Sequence, residues 1–181
     1  MVEDRLLLLR FKRGDGEALR RIYEKYRTDL LRLAISLTGD SDTAEDIVQD
    51  VFTAFAQAGG RLRVDGNLKG YLAISVLNRT RNMVRATRPT HRVSLEAVEP
   101  PIASEQTPDQ WVACSEQLHR VVEAMGRLPV EQREVIVLHI YGKMRFRAIA
   151  ESAGASVNTV LSRYRYGMDR LRSMLDGRLE A

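Results

Sequence analysis

Residues 146–167 place many side chains that can bind a nucleic acid within a short stretch of chain. Amide, hydroxyl and guanidinium groups suit the hydrogen-bonding edges of bases and the oxygens of phosphates. The candidates are Ser156, Asn158, Thr159, Ser162, Arg163, Arg165 and Tyr166. Because these groups act through hydrogen bonds and charge, the stretch predicts a nucleic-acid-binding surface.

Two helices and a turn must position these side chains. Counting Phe146 as the first residue, a small Ala150 falls fifth, Gly154 ninth and an apolar Val160 fifteenth. A close crossing of two helices needs a small residue, and the turn needs a residue that adopts a left-handed backbone at little cost. Ser156 is a suitable N-cap, because its hydroxyl can accept a hydrogen bond from a free backbone amide. The spacing predicts a helix-turn-helix, with an ordinary helical hairpin as the alternative.

A second basic surface is predicted on a helix that runs from about Asn67 to Thr87. Arg81, Arg85 and Arg88 are spaced i, i+4 and i+7 and therefore share one face of that helix. Tyr71, near the start of the helix, offers a ring on which an unstacked base can pack. The alternative is a basic face that is simply solvated.

The loop before this helix is also basic. Residues 62–70 contain two glycines, and Arg61 and Arg63 supply positive charge. A loop beside a basic helix can bind nucleic acid, or it can serve only as a connection.

The preceding predicted helix has an acidic side formed by Asp42, Glu45, Asp46, Gln49 and Asp50. Acids near a helix N-terminus complement the helix dipole, each by only about 0.3–1 kcal/mol. The functional alternative is a face that docks another protein. A metal site is not expected, because hard cations need converging oxygen ligands and not one convex helical face.

The sequence gives no sign of catalysis, and we expect no catalytic residue, cofactor or small-molecule substrate. Its three histidines are scattered and lack the HExxH spacing of a zinc protease. No glycine-rich phosphate-binding loop and no GxSxG nucleophile motif occurs. Cys114 is the only cysteine, which excludes an intrachain disulfide and a cysteine zinc site.

Apolar residues recur at helical spacing on both sides of a proline-rich spacer, and this pattern predicts an all-α chain of two small bundles. Pro100, Pro101 and Pro108 fall within residues 93–110, where four acids stand without any lysine or arginine. Residues 1–92 have a net charge of +5 and residues 111–181 one of +3. We therefore predict domains at 1–92 and 111–181 joined by a flexible acidic linker, with a helix from Trp111 to Met125 opening the second.

The chain as a whole has 181 residues and a net charge of +4, which permits an anionic partner without requiring one. No apolar run approaches the roughly 20 residues of a membrane span. The four leucines of MVEDRLLLLRFKRGD are too few for a signal peptide, and the segment begins acidic. The expected location is the cytoplasm.

Over nearly its whole length the chain resembles bacterial sigma-70 family factors of the extracytoplasmic-function (ECF) type. Four segments bear the similarity: GDGEALRRIYEKYRTDLLRLAISLTGD, AEDIVQDVFTAFAQ, NLKGYLAISVLNRTRNMVR and LPVEQREVIVLHIYGKMRFRAIAESAGASVNTVLSRYRYGMDRLR. The helix-turn-helix alone is moderately specific. The AEDIVQDVF segment together with the carboxyl-terminal segment makes the joint pattern strong.

The resemblance implies a role for each group of residues. Asp46, Gln49 and Asp50 would dock on the clamp helices of RNA polymerase, with Phe52 facing the core. The second bundle would recognise the −35 promoter element through the seven helix-turn-helix candidates named above. The residues that would open the −10 element and hold a flipped base are Arg61, Leu62, Arg63, Tyr71, Asn78, Arg81 and Arg85.

The expected partners are thus core RNA polymerase and promoter DNA, and the linker further suggests an anti-sigma protein that clamps the two bundles. The sequence departs from the family at Leu161, where a basic or polar residue is usual, and at Tyr71, where tryptophan is common. Two other functions remain as alternatives. One is an autonomous helix-turn-helix regulator, and the other is a sigma-like protein that holds a partner without initiating transcription.

Overall fold

A computed structural model describes residues 2–62, 64, 67–86 and 119–177. Within these ranges the chain forms α-helices and one short 3₁₀ turn, Gly59–Arg61, and no strand. The helices before residue 87 are α1 (Val2–Lys12), α2 (Gly16–Thr38), α3 (Ser41–Ala58) and α4 (Leu68–Ala86). Those after residue 118 are α5 (119–126), α6 (Val130–Ile140), α7 (Phe146–Ala153) and α8 (Val157–Leu175).

The amino-terminal bundle is built around α2, which packs against α1, α3 and α4. Its apolar stripe recurs every three or four residues and is buried at Ile22, Tyr26, Leu30 and Leu33. Helix α3 likewise buries an apolar stripe of helical spacing, from Ala44 to Phe55. The amphipathic pattern of these helices is therefore sufficient to specify how they pack.

Glycine and capping residues mark the ends and starts of these helices. Gly39 adopts a left-handed backbone with φ of 77° and ends α2. The Asp40 carboxylate accepts a hydrogen bond of 2.8 Å from the amide of Thr43 and caps α3. Helix α4 begins within one residue of the predicted start, and its predicted end at Thr87 lies outside the described residues.

Helix α1 was not predicted from the sequence. It buries Leu7, Leu8 and Phe11, and the Phe11 ring stacks on Phe55 of α3 at a centroid distance of 4.8 Å. At its start, Asp4 accepts a 2.6 Å hydrogen bond from the Tyr26 hydroxyl. Two of the four consecutive leucines, Leu7 and Leu8, are thus part of the core of the first bundle, whereas Leu6 and Leu9 are exposed.

The carboxyl-terminal bundle packs α8 against α6 and α7. Helix α6 begins behind Pro129 and buries Val135 to Leu138. Gly167 of α8 makes the close approach possible: a Cβ there would lie 2.8 Å from Ile136 Cδ1 and 3.1 Å from Gln132 Cβ.

The two bundles contact each other directly through α6, which lies against α2 and α4. Arg133 of α6 donates a hydrogen bond of 3.0 Å to the carbonyl of Leu37 at the end of α2. A Cβ on Gly142 would lie 3.1 Å from Ala73 Cβ of α4, so the two bundles meet with little space between them. Among the described helices, none is both long and apolar enough to span a bilayer.

Candidate nucleic-acid interface

The helix-turn-helix predicted for residues 146–167 is present. Helices α7 and α8 are joined by Gly154, whose φ of 60° is left-handed, and Ala150 is buried at the crossing. Ser156 accepts a 3.0 Å hydrogen bond from the amide of Thr159, which confirms its predicted capping role. The start of α8 is therefore fixed by the residues that the sequence indicates.

An aromatic cluster holds the two helices of the motif on α6. The His139 ring stacks on Phe146 of α7 at 4.3 Å and meets the edge of Tyr164 of α8 at 5.1 Å. His139 Nδ1 lies 2.9 Å from the carbonyl oxygen of Met144. This histidine is a packing residue, and no group of histidine, cysteine and acidic side chains in the described ranges is arranged to hold a metal.

The outer face of α8 is open to solvent along the predicted contact residues. Asn158, Thr159, Arg165 and Tyr166 are exposed, whereas Ser162 and Arg163 are partly exposed. The Arg165 guanidinium lies 5.0 Å from the ring centroid of Tyr166. The buried side of the helix is formed by Val160, Gly167 and Leu171. Helix α8 has four arginines against one aspartate, so its open face is positively charged.

The arginines of α4 are in a different state, because the two whose side chains the structure describes, Arg79 and Arg81, bind other parts of the chain. Arg79 donates to Asp50 of α3, with its Nε 2.8 Å from Oδ2. Arg81 forms a bidentate ion pair with Glu134 of α6, with contacts of 2.6 and 2.5 Å. The hydrogen bond that Arg81 donates to Glu134 raises the pKa of this guanidinium above its ordinary value. The Glu134 carboxylate is nearly buried, whereas Arg81 keeps over a third of its side chain exposed.

Arg133, next to Glu134, is held by three backbone carbonyls. Besides the Leu37 carbonyl, it donates 3.0 Å and 3.2 Å hydrogen bonds to the carbonyls of Gly126 and Leu128. Burial lowers the pKa of this guanidinium, and the nearby Glu134 charge opposes that effect. Arg133 therefore ties the first turn of α6 to the end of α5 and to the amino-terminal bundle.

Sequence reasoning missed both Glu134 and Arg133. Arg81, the ion-pair partner of Glu134, lies 53 residues away along the chain. Leu37, whose carbonyl accepts a hydrogen bond from Arg133, lies 96 residues away. No local spacing indicates such a pair, because it depends on how the two bundles dock.

The residues predicted to open duplex DNA are only partly brought together. Arg61 and Asn78 are exposed, and Tyr71 is partly buried with its ring 6.2 Å from that of Phe55. The side chain of Leu62, in contrast, is buried in the core, so this predicted DNA contact needs correction: Leu62 anchors the loop, and it does not present its side chain to a ligand. Arg63 and the side chains of Arg85 and Arg88 lie outside the described part of the structure.

The predicted polymerase-docking residues lie on the outer side of α3. Asp46, Gln49 and Asp50 are exposed, and Phe52 is buried, as expected. Beside them a groove of about 630 Å³ runs between α2 and α3. Tyr23 and Phe52, which line the groove, meet edge to face at 4.8 Å. Glu45 and Gln49 of α3 line this largely apolar groove, a combination that suits a protein partner.

Comparison with known proteins identifies the class. The protein-family model described as Sigma-70 region 2 matches residues 22–90. The family model described as Sigma-70, region 4 matches residues 118–171. The first match covers α3 and α4 with their acidic and arginine faces, and the second covers the helix-turn-helix.

Relatives match along nearly the whole chain. RNA polymerase sigma factor CnrH of Cupriavidus metallidurans is 28% identical over 180 residues, which cover 96% of this chain and 94% of CnrH. ECF RNA polymerase sigma factor SigL of Mycobacterium tuberculosis is 29% identical over 165 residues, which cover 90% of this chain and 91% of SigL.

Solved structures agree in fold. The structure of CnrH in complex with the cytosolic domain of CnrY gives a TM-score of 0.72 at 25% identity, covering 97% of this chain and 98% of CnrH. The sigma factor RpoE in complex with the anti-sigma factor NepR from Bartonella quintana gives 0.62 at 25% identity, covering 87% and 98%. The chain belongs to the sigma-70 family of RNA polymerase sigma factors, and its ECF relatives and two-bundle fold make it an alternative sigma factor that acts with core polymerase on promoter DNA.

Proposed function

We propose a division of labour between the two bundles. Residues 1–92 bind core RNA polymerase and open the −10 element, residues 111–181 bind the −35 element, and residues 93–110 join them. The catalysis belongs to the polymerase, so this chain acts as a binding and positioning protein in the cytoplasm and not as an enzyme. The observation that best supports the proposal is that one chain has an acidic face on α3, an arginine face on α4 and a helix-turn-helix formed by α7 and α8.

The proposed polymerase contact is the outer side of α3. Asp46 and Gln49 are exposed on it, Gln49 also lines the apolar groove, and Asp50 is exposed despite its ion pair with Arg79. A partner with a basic helix could exchange that pair for its own, because a surface pair contributes only about 0–1 kcal/mol. The cost of freeing Asp50 is therefore small.

Co-elution with bacterial core RNA polymerase tests this contact. The full chain should co-elute stoichiometrically, and the double variant Asp46→Lys, Asp50→Lys should not. Arg79→Ala is the matched control, because it breaks the same intramolecular pair but keeps the carboxylate of Asp50. Equal binding by the double variant and the unaltered chain would remove α3 as the docking face.

The proposed −35 contact is the exposed face of α8 placed in the major groove, which is wide enough for a helix. Arg163→Ala should weaken binding of holoenzyme to promoter duplex by about 1–3 kcal/mol. Arg172→Ala, near the end of the same helix, is the control and should have a smaller effect. Unchanged promoter-directed initiation by Arg163→Ala would show that the recognition surface lies elsewhere.

The proposed −10 contact requires a rearrangement of the chain. The Nε and Nη2 atoms of Arg81 donate to Glu134, so a phosphate of the −10 element must compete with this carboxylate for the Arg81 guanidinium. We therefore propose that the two bundles separate at α4 and α6 when the chain directs initiation. The arrangement in the structure then corresponds to a resting form.

An anti-sigma protein is the proposed regulator of that resting form. Both structural relatives described above were solved with a bound protein partner, one of which is an anti-sigma factor. Purification of the tagged chain from native cells tests this. A small protein should co-purify in the fraction that lacks polymerase, and its absence under resting and inducing conditions would count against such control.

A further inference from the structure

Two exposed aliphatic side chains lie on the face of α8 that the proposed function assigns to the −35 duplex. Val157 is 40% exposed and Leu161 is 42% exposed. With Arg165 they are spaced i, i+4 and i+8, so the three form one row along the helix. A polar neighbouring row contains Asn158 and Ser162.

These two residues are not part of the packing of the bundle. The side of α8 that packs on α6 and α7 buries Val160, Gly167 and Leu171. Leu161 lies outside that set, and its exposed area is available to a ligand. No acid stands between Val157 and Gly167, so a polyanion can approach this row without charge repulsion.

The chemistry of the major groove restricts what Leu161 can contact. Each base edge there presents hydrogen-bond donors and acceptors, and only thymine adds an apolar group, its C5 methyl. Packing leucine against a polar edge would remove water from that edge and supply no hydrogen bond in return, which is unfavourable. Contact with a methyl group has no such cost and removes apolar surface from water.

We infer that Leu161 recognises a thymine of the −35 duplex through its methyl group, with Val157 extending the same apolar row. This inference rests on the proposed placement of α8 in the major groove. It assigns a specificity determinant to a residue that cannot form a hydrogen bond with a base. A thymine contacted in this way differs from an adenine bound by Asn158, since only the first contact depends on the methyl group.

The experiment uses holoenzyme assembled from the full chain and core polymerase. A duplex selected by this holoenzyme from a random-sequence library serves as the probe, and each thymine in turn is replaced by uracil, which lacks only the methyl. One position should show about fourfold weaker binding with uracil, the effect of one buried methyl group. The other positions should change little.

Leu161→Ala then links that position to the residue. The variant should bind the thymine and uracil duplexes equally, and the methyl effect should disappear. Val130→Ala is the matched control, because it truncates another exposed aliphatic side chain of the same bundle and should keep the fourfold difference. Thermal unfolding of each variant verifies folding, and the uracil scan on the unaltered chain needs no variant.

The possible results distinguish a failure of the role inferred for Leu161 from a failure of the proposed function on which it rests. Selection of a defined duplex with no uracil-sensitive position, or a fourfold effect that persists in Leu161→Ala, would overturn the role of Leu161 and leave the proposed function intact. If the holoenzyme selected no duplex at all, both the placement of α8 and the inference built on it would fail.

Discussion

The two proposed DNA-binding faces of this sigma factor differ in what they contact in the described structure. On α8 Asn158 and Arg165 are exposed and Ser162 is partly exposed, and the described hydrogen bond of Arg165 goes to its own neighbour, Tyr166. On α4 the two arginines whose side chains are described, Arg79 and Arg81, bind acids of two other helices, and Ala73 lies close to Gly142. One face is open and the other is occupied by the chain itself.

This difference shows that two helices with similar side chains can differ in how accessible those side chains are to DNA. Both helices present arginine with an amide or hydroxyl group nearby, yet only α4 lies where the other bundle can reach it. We expect the open face to bind duplex without internal change, whereas the occupied face must first lose the contact with α6. Changes at the α4–α6 contact should therefore affect stability and availability together.

We expect the largest loss of stability from a substitution at Gly142, which lies close to α4 where the two bundles meet. In Gly142→Ala the new Cβ would lie 2.6 Å from the Leu138 carbonyl oxygen and 3.1 Å from Ala73 Cβ. Overpacking of this kind costs roughly 1–3 kcal/mol, which chemical denaturation can measure. Gly126→Ala is the control, because nothing lies within 4 Å of its added Cβ and alanine favours a helix. Equal stability of both variants would show that the two bundles are not closely packed at Gly142.

The ion pair between Arg81 and Glu134 gives the next effect. A double-mutant cycle with Arg81→Gln and Glu134→Gln should yield a coupling of about 1–3 kcal/mol, because the carboxylate is nearly buried and the pair is bidentate. The same cycle on Arg79 and Asp50, which are each about half exposed, should yield below 1 kcal/mol. Similar couplings for the two pairs would contradict the view that the α4–α6 contact is the tighter one.

A change at the N-cap of α8 should lower the stability of the start of that helix without affecting the contact between the two bundles. Ser156→Ala removes the hydrogen bond to the Thr159 amide and should cost about 1 kcal/mol. Because this bond is local, the cost should appear in the carboxyl-terminal bundle and leave the Arg81–Glu134 coupling unchanged. Hydrogen exchange of the first amides of α8 measures the local effect, and Ser173→Ala, at the other end of the helix, is the control.

The smallest expected effect is a pH dependence confined to the amino-terminal bundle. Burial raises the pKa of Asp4, but hydrogen bonds from Tyr26 and Lys25 outweigh it and leave that pKa below its ordinary value of 3.8. The ionised carboxylate therefore stabilises the fold above pH 3.8, and this contribution is lost as the pH falls through the lower, folded value. Asp4→Asn should remove less than about 1 kcal/mol and flatten the acid dependence in thermal unfolding. An unchanged acid limb in the variant would refute this assignment.

The helices and the helix-turn-helix could be predicted from the sequence because local rules specify them. The stripe of α3, the left-handed Gly154 and the cap at Ser156 each depend on residues a few positions apart. Helix α1 was missed for a related reason. Four consecutive leucines have no helical period, and only packing against α2 and α3 determines that Leu7 is buried and Leu6 is exposed.

The candidate site was harder to predict from the sequence, because whether a side chain is exposed depends on the tertiary structure. Leu62 belongs to a basic loop in sequence but lies in the core. Arg81 has a pattern typical of a solvated or DNA-facing residue, and its partner Glu134 comes from the other bundle. Sequence spacing identifies which residues share a helix face, whereas the docking of two bundles decides which faces are open.

Helices α4 and α6 are in contact in the structure, and we propose that they separate when the chain directs initiation. The distance between spin labels at Gln57→Cys on α3 and Arg170→Cys on α8, in a Cys114→Ser background, tests this separation. We expect one narrow distance for the free chain and a longer one for the complex with core polymerase and promoter duplex. The same distance in both states would contradict it.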